Sequence, residues 1–182
     1  MSKRIFAEST WTPTAVADTA NMTSAGFMAL QGGSTTQRID ILEVYMGGEA
    51  GASSPSIMNL ARDSTVGATL SIANAGASDG PHDPATAALA APPVAFDTAT
   101  TKPQRDTAKA RFPLAFNAFG GIVRWVPPPG GEFKMLGNAA SFGEVSLSAF
   151  TGGTPGLMSA HIVYEPFALL LAFGLAAFTM FS

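Results

Sequence analysis

The sequence predicts an all-β sandwich, and three observations support this fold class. Apolar residues recur mainly two apart in short runs, which is the spacing of strands and not of helices. Clusters of glycine, proline, serine and threonine separate the runs. No amphipathic helical pattern intervenes between the predicted strands, which argues against a Rossmann-like fold. With 182 residues, the chain is long enough for one domain with a sizeable core and too short to expect two.

The amino-acid composition excludes several classes of function. Charged residues make up 13% of the chain, against about 25% in a typical soluble domain. The formal net charge is -3, so the chain lacks the basic excess of a nucleic-acid-binding domain, and we expect no specific nucleic-acid partner. The absence of cysteine excludes disulfides, thiolate nucleophiles and zinc-thiolate sites. A chain with so little charge is typical of a subunit whose faces are covered by neighbours.

The chain divides into three parts. Residues 1–29 are predicted to form an extended N-terminal arm, 30–165 the sandwich domain, and 166–182 an apolar C-terminal tail. The first residues are basic, but Glu8 interrupts them before any long apolar run, so we expect no secretory signal.

The first predicted strands follow the arm. Apolar alternation over Arg38–Met46 changes phase after Ile41, which predicts a β-bulge or two-sided burial near that residue. Two further strands are predicted, at Ile57–Arg62 and Val66–Leu70, with Asp63-Ser64 between them.

A long surface loop is predicted over residues 74–111. Its first part, Asn74–Pro93, has few large apolar side chains, and we expect a short helix there at Ala85–Ala91. The later part, Lys102–Arg111, contains four of the ten basic residues. We interpret these either as a solvated loop or as contacts to a neighbouring subunit's carboxylates or to phosphates, and the candidate subunit contacts are Lys102, Arg105, Lys109 and Arg111. The aromatic interleaving of a single-strand nucleic-acid platform is absent.

The remaining strands lie in the second half of the chain. Phe112–Ala118 and Ile122–Val126 are joined by Gly120-Gly121, and the prolines that follow end the second of these strands because proline donates no ladder hydrogen bond. Three more strands are predicted, at Phe133–Leu136, Glu144–Phe150 and Leu157–Tyr164. About eight short strands with regular turn signals indicate a sandwich, and the jelly roll is the commonest solution at this size.

Few residue patterns in the sequence indicate a catalytic, metal-binding or cofactor-binding site. His161 lies in a predicted strand and is expected to face solvent or an interface, and no nucleophile motif accompanies it or His82. The Asp79–Asp83 turn contains metal-compatible donors at a spacing that matches no known metal loop. No glycine pair has a P-loop lysine. We therefore expect no enzyme activity, cofactor or metal. The candidates for stacking on a ligand are Trp11, Trp125 and Tyr45.

Several segments resemble small jelly-roll structural proteins of tailed bacteriophages. They are Phe112–Trp125, Leu136-Gly137-Asn138, Gly143–Ser148 and His161–Glu165, and the similarity covers roughly Gln37–Glu165. The resemblance implies a virion role, such as a capsid decoration or minor head protein, with no catalytic residues. It also implies a homo-oligomer with capsid or virion proteins as partners, found in the host cytoplasm during assembly. The segment after Glu165 has no counterpart in this pattern.

The sequence is compatible with more than one location for the C-terminal tail. Phe167–Phe181 is apolar apart from Thr179, is close to the minimum length of a spanning helix, and lacks a basic flank. Pro166 is expected to open a helix. We favour a tail that is docked on protein in an assembly or loosely ordered over one that spans lipid, with Phe167, Leu170 and Phe173 as candidate subunit contacts. For the protein as a whole, two alternative functions remain. One is a β domain anchored to a membrane by the tail, and the other is a carbohydrate-binding or host-recognition module.

Overall fold

The structure is a computed structural model that describes residues 5–11, 28–49, 51–53, 55–71, 80–87, 89–96, 98–101, 103–106, 111–137, 139–149 and 157–168. Within these ranges the chain forms strands, turns and bends, and no helix. The strands are β1 Phe6–Trp11, β2 Met28–Gln31, β3 Gln37–Glu49, β4 Pro55–Thr65, β5 Ala68–Ser71, β6 Gly80–Pro81, β7 Val94–Phe96, β8 Thr98–Thr101, β9 Gln104–Arg105, β10 Arg111–Asn117, β11 Val123–Trp125, β12 Phe133–Met135, β13 Glu144–Ala149 and β14 Leu157–Ala168.

These strands form two antiparallel six-stranded sheets. The first sheet has the order β11-β3-β14-β1-β6, with β12 also paired to β3. The second has the order β10-β4-β13-β2-β7, with β9 also paired to β4. Strands β5 and β8 form a separate two-stranded ladder.

In four pairs of consecutive strands the chain crosses from one sheet to the other. The pairs β1 and β2, β3 and β4, β10 and β11, and β13 and β14 each hold corresponding places in the two sheet orders. The antiparallel registers then place the strand ends that are joined within all four pairs at the same end of the two sheets. We call this end the crossover end.

One hydrophobic core lies between the sheets. Alternating residues from both sheets line this core and are almost completely buried, and the removal of their apolar surface from water stabilises the fold. From the first sheet they include Phe6, Ile39, Ile41, Val44, Met46, Phe133, Met135, Ile162 and Tyr164. From the second they include Met28, Leu30, Met58, Leu60, Phe116, Val145 and Leu147.

The bulge predicted near Ile41 is confirmed. Tyr164 of β14 pairs with Ile41, whereas the preceding Val163 pairs with Glu43, so Leu42 is the extra residue on β3. The bulge restores the alternation, because Ile41 and Val44 both reach the core.

Several expectations for the strands and loops are wrong. Asp63 and Ser64 do not separate two strands, since β4 continues to Thr65. The segment Ala85–Ala91 contains turns and bends in its described residues, and no helix. The predicted loop 74–111 contains all of β6, β7, β8 and β9. Backbone pairing between distant segments created these short strands, and local residue patterns carry little information about such pairing.

The two ends of the domain also differ from expectation. Residues 6–11 and 28–31 belong to the sheets as β1 and β2, so they are not part of an arm outside the sandwich. Pro166 does not open a helix, because β14 runs to Ala168 and Pro166 pairs with Ile39. The predicted tail beyond residue 168 lies outside the described residues.

The outward face of the second sheet carries a buried polar layer. Asp63, Glu144 and Ser146 alternate with core residues and point away from the core, yet none has any exposed surface. Arg105 and Asp106 in and after β9 are also buried, and β9 pairs with the end of β4. Two described residues of the connection between β4 and β10, Gly67 and Arg105, therefore contact this polar layer.

Candidate functional site

A group of polar and aromatic side chains crosses the outward face of the first sheet. Tyr45 lies in the middle of β3 and is opposite Arg124 of β11 on one side and His161 of β14 on the other. Glu43 lies two residues before Tyr45 on the same face, and His82 follows β6, where its N–H donates a 2.9 Å hydrogen bond to the Ile5 carbonyl. We call these five residues the outer-face cluster.

The rings in the outer-face cluster form a row. The Tyr45 and His161 ring centroids are 6.0 Å apart. The His161 and His82 centroids are 6.4 Å apart, with planes inclined by 14°. The Arg124 guanidinium lies over the Tyr45 ring at 5.3 Å, and its Nε donates to Glu43 Oε1. Since His82 and Arg124 are exposed, solvent reaches both ends of the row.

Electrostatics within this cluster favour an ionised Glu43 and a neutral His161. Burial alone would raise the pKa of Glu43, but hydrogen bonds from Arg124 and Tyr45 and the charge of Arg124 lower it. The bond to Glu43 raises the pKa of the Tyr45 hydroxyl. Burial and the proximity of His82 lower the pKa of His161. The cluster thus presents a cation, a paired carboxylate, neutral imidazole and part of an aromatic face, a combination suited to recognition of a polar ligand.

A second constellation lies in the buried layer of the second sheet. Asp63 and Glu144 lie next to the paired residues Arg62 and Val145 of adjacent strands, and each carboxyl group acts on the pKa of the other. We call them the carboxyl pair. Ser146 Oγ donates to Asp63 Oδ1 at 2.8 Å. Glu144 Oε2 accepts from Gln31 Nε2 at 3.1 Å and from the Gly67 N–H at 3.0 Å.

Both members of the carboxyl pair have raised pKa values. Burial is the main cause for Asp63, whose pKa lies well above its ordinary value, and the hydrogen bond and charge of Glu144 raise it further, whereas Ser146 and Arg105 act in the opposite direction. Burial also raises the pKa of Glu144. A proton retained between two buried carboxyl groups is the expected response of such a pair.

The structure does not bring the three predicted stacking residues together at one site. Tyr45 belongs to the outer-face cluster. Trp125 is half-buried, packs against the core and lies 5.0 Å from the Phe112 ring, so its aromatic surface serves internal packing. The backbone of Trp11 pairs with Ser159 in β14, and the Trp11 side chain lies outside the described structure.

The predicted subunit contacts are scattered. Arg105 is buried within the chain, 5% exposed, and acts electrostatically on Asp63. The Arg111 backbone pairs with Ala61 at the start of β10. Phe167 is 37% exposed, and the Arg38 guanidinium lies 5.2 Å from its ring. Lys102, Lys109, Leu170 and Phe173 lie outside the described residues.

Sequence reasoning missed Glu43 and Arg124 in the outer-face cluster, as well as the carboxyl pair. Strand alternation did place Glu43 and Tyr45 on one face, but only the sheet order shows that Arg124 and His161 flank them. Within the predicted metal-compatible turn, Asp83 Oδ1 accepts the Ala85 N–H at 2.9 Å, which is the bond of an ordinary Asx turn.

Large apolar side chains are exposed at the crossover end. The turn that connects β10 to β11 carries Phe119, 59% exposed, and Ile122, 76% exposed. Asn117 Nδ2 donates to Ser53 Oγ at 2.9 Å, which fixes this turn beside the β3–β4 connection. Phe119 and Ile122 form what we call the apolar tip.

The described residues contain no group of three or more metal-ligating side chains that could hold an ion. No helix in this part of the chain has the length and hydropathy to cross a membrane. Comparison with known proteins finds no matching family model, no similar curated protein and no similar solved structure.

Proposed function

We propose that this chain is a non-enzymatic, self-associating structural protein of a virion, built on a jelly roll. The observation that carries the proposal is the apolar tip. A 59% exposed phenylalanine and a 76% exposed isoleucine stand on one short turn of a chain with few charges. Clustered apolar side chains in such a setting are characteristic of protein–protein contact sites.

The strand order supports the jelly-roll part of the proposal. Eight strands in two four-stranded sheets make a jelly roll, with the first and last strands paired and successive strands in opposite sheets, except for the fourth and fifth, which are neighbours in one sheet. In this chain β1 pairs with β14, and the orders β1-β14-β3-β11 and β2-β13-β4-β10 follow that scheme. Strands β5 to β9 and β12 are then additions to the basic eight.

The resemblance to phage structural proteins falls on elements that form this framework. Its longest segment, Phe112–Trp125, comprises β10, the apolar tip and β11. Capsid and virion proteins are accordingly the partners we propose, together with further copies of this chain.

Self-association through the apolar tip is tested with the full chain in solution. Light scattering after size-exclusion chromatography and sedimentation velocity should show oligomers that dissociate in a Phe119→Ser/Ile122→Ser variant. Leu136→Ser is the matched control, because Leu136 is 49% exposed and follows β12, away from the crossover end. A wild-type chain that stays monomeric at all concentrations, or equal dissociation in the control, would contradict this contact.

The virion role needs a separate observation. Mass spectrometry of purified particles from a phage that encodes this chain should detect it at a regular copy number relative to the major capsid protein. Its absence from purified particles would refute the virion role even if the chain self-associates.

A second candidate function is recognition of a carbohydrate by the outer-face cluster. Tyr45 is partly exposed beside charged and imidazole groups, and sugar sites commonly combine an aromatic ring with such hydrogen-bonding groups. A glycan array with the full chain tests this candidate, with Tyr45→Ala as the loss-of-binding variant and Phe167→Ala as the control. An array with no hits would exclude it.

A further inference from the structure

We propose that this chain self-associates by pairing β10 with β10 of a second copy, antiparallel and with Ala115 opposite Ala115 of the second copy. The second sheets of the two copies then form one continuous sheet across a two-fold axis. The pairing rests on the proposed self-association and specifies the strand through which it occurs.

The position of β10 makes it available for such pairing. It lies at one end of the second sheet and pairs with β4, and among the described residues no strand pairs with its other side. It has seven residues, whereas β11, at the corresponding place in the first sheet, has three. The backbone groups on the outer side of a long edge strand are a template for pairing with another chain.

Pro113 shows which backbone groups of β10 point to this edge. Pro113 is opposite Asn59 of β4, and because proline has no N–H, the two residues cannot exchange a pair of ladder hydrogen bonds. Their backbone polar groups therefore point away from each other. Every second residue of β10 has the same orientation, so Pro113, Ala115 and Asn117 face the edge. Pro55 of β4, opposite Asn117, fits this alternation because it also lacks an N–H.

The proposed register satisfies these edge-facing groups. With Ala115 opposite itself, the two Ala115 residues exchange N–H···O=C bonds, and Pro113 of each copy is opposite Asn117 of the other. The bond that Pro113 cannot donate is not needed there, because the Asn117 carbonyl already accepts the Gly120 N–H at 3.1 Å. The strand thus supplies the residue that a proline on its edge requires of a partner.

Other registers that pair most of β10 leave groups unsatisfied. With Pro113 opposite Ala115, both Ala115 carbonyls lack a donor, and with Pro113 opposite itself, two carbonyls meet without any N–H. A shift by a single residue sets edge-facing groups opposite groups that bond β4, so no ladder forms. Pro113 therefore selects the register that is centred on Ala115.

The side of the sandwich at β10 also has apolar surface for a second copy to cover. Phe112 and Leu114 of β10 and Val123 and Trp125 of β11 pack against the core but are only half-buried. The proposed register brings Phe119, 59% exposed, level with the start of β10 in the second copy. Pairing therefore buries part of the apolar tip together with the strand edge, and burial of apolar surface favours association.

Disulfide formation in the full chain tests the register. The chain contains no cysteine, so a single Ala115→Cys substitution can cross-link only to the same position of a second copy. Opposite residues of a hydrogen-bonded pair have Cα atoms about 5.5 Å apart, within disulfide range. Mild oxidation should therefore convert most of the Ala115→Cys chain to a covalent dimer.

Ile57→Cys is the matched control for this cross-link. Ile57 is opposite Ala115 on β4 and is also exposed, at 47%. In the paired dimer the two copies of Ile57 are separated by three strand spacings, about 14 Å, which is too far for a disulfide. Equal cross-linking at the two positions would overturn the register.

A charge swap tests the same register without a cross-link. The Ala115 side chain is exposed and its backbone polar groups point away from β4, so Ala115→Lys and Ala115→Glu should both fold. Each variant sets like charges opposite each other and should be monomeric in sedimentation velocity at concentrations where the wild-type chain associates. An equimolar mixture of the two should associate again. Single variants that associate as well as the wild-type chain would overturn the pairing.

These measurements separate the strand pairing from the contact at the apolar tip. Dissociation of Phe119→Ser/Ile122→Ser together with no cross-link in Ala115→Cys would leave the tip contact standing and overturn the pairing of β10. Cross-linking at Ala115 that the tip substitutions do not reduce would support the pairing and contradict the tip contact. A wild-type chain that is monomeric at all concentrations would overturn both.

Discussion

Ser146 Oγ donates a 2.8 Å hydrogen bond to Asp63 Oδ1 across neighbouring strands β13 and β4, and neither residue has any exposed surface. The bond lies on the face of the second sheet that points away from the core. A buried polar pair in such a position is tolerated because its two members are hydrogen-bonded to each other. The part of the outward face around Asp63, Glu144 and Ser146 is therefore as buried as the core, but polar.

Ser146→Ala should destabilise the chain by about 1–3 kcal/mol, because it leaves a buried carboxyl oxygen without its donor. The measurement is the free energy of unfolding in urea. Ser64→Ala is the control, since the Ser64 hydroxyl bonds the Gln104 carbonyl at a more accessible site and should change stability by no more than about 0.5 kcal/mol. Equal effects of the two substitutions would contradict the importance of the Asp63 bond.

Leu60→Ala should cost about 2–5 kcal/mol, since Leu60 is fully buried between the sheets and its truncation leaves a cavity. Ile57→Ala tests the same strand on its outward face, where Ile57 is 47% exposed. We expect a change of about 0.5 kcal/mol there. Denaturant unfolding of both variants gives the comparison, and a small effect at Leu60 would be incompatible with the strand assignment.

Gly33→Ala should destabilise the chain by about 1–3 kcal/mol. A Cβ atom at this position would lie 2.3 Å from the Pro92 carbonyl oxygen, so the backbone around Pro92 would have to move. Gly51→Ala is the control, because a Cβ there meets nothing within 4 Å. Thermal unfolding should show a lower Tm for Gly33→Ala alone, and unchanged stability would mean that Pro92 does not pack on Gly33.

The lowered pKa of His161 predicts that the free energy of unfolding decreases as the pH falls below neutrality. Its pKa is lowered in the folded chain, so as pH falls below its ordinary value of 6.5 the unfolded state takes up the proton first, and stability decreases down to the folded pKa. Unfolding of His161→Gln between pH 7 and 5 should lack this contribution. In an NMR titration, His82→Gln should raise the pKa of His161 partway, because burial remains as the main cause.

The carboxyl pair makes stability depend on pH in the direction opposite to that of His161. A raised folded pKa contributes stability that is fully present below the unfolded value of 3.8 for Asp63 and is lost as pH rises through the folded value. Asp63→Asn should therefore weaken the fall of stability with rising pH, whereas His161→Gln should not. Urea unfolding across the pH range distinguishes the two groups, and identical profiles for both variants would refute the assignment.

Much of the strand pattern was predictable because alternation is a local property. The phase change after Ile41 indicated the bulge that the structure places at Leu42, and the spacing of apolar residues located β10 and β13. The same reasoning treated Asp63 as a separator between strands, because an acid in a polar dipeptide is the usual mark of a turn. Asp63 is instead buried beside Glu144, which is 81 residues away in the chain, so no local pattern could indicate this burial.

The period of apolar side chains along the chain was enough to predict an all-β protein, the positions of most strands and a bulge in one of them. The sheet order, the grouping of Tyr45 with Arg124 and His161, and the burial of Asp63, Glu144 and Arg105 emerged only in the folded chain. These features depend on pairing between strands that are distant in sequence, which local patterns do not record. Whether an acid is a solvated turn residue or half of a buried pair is a property of its surroundings, and the folded chain supplies them.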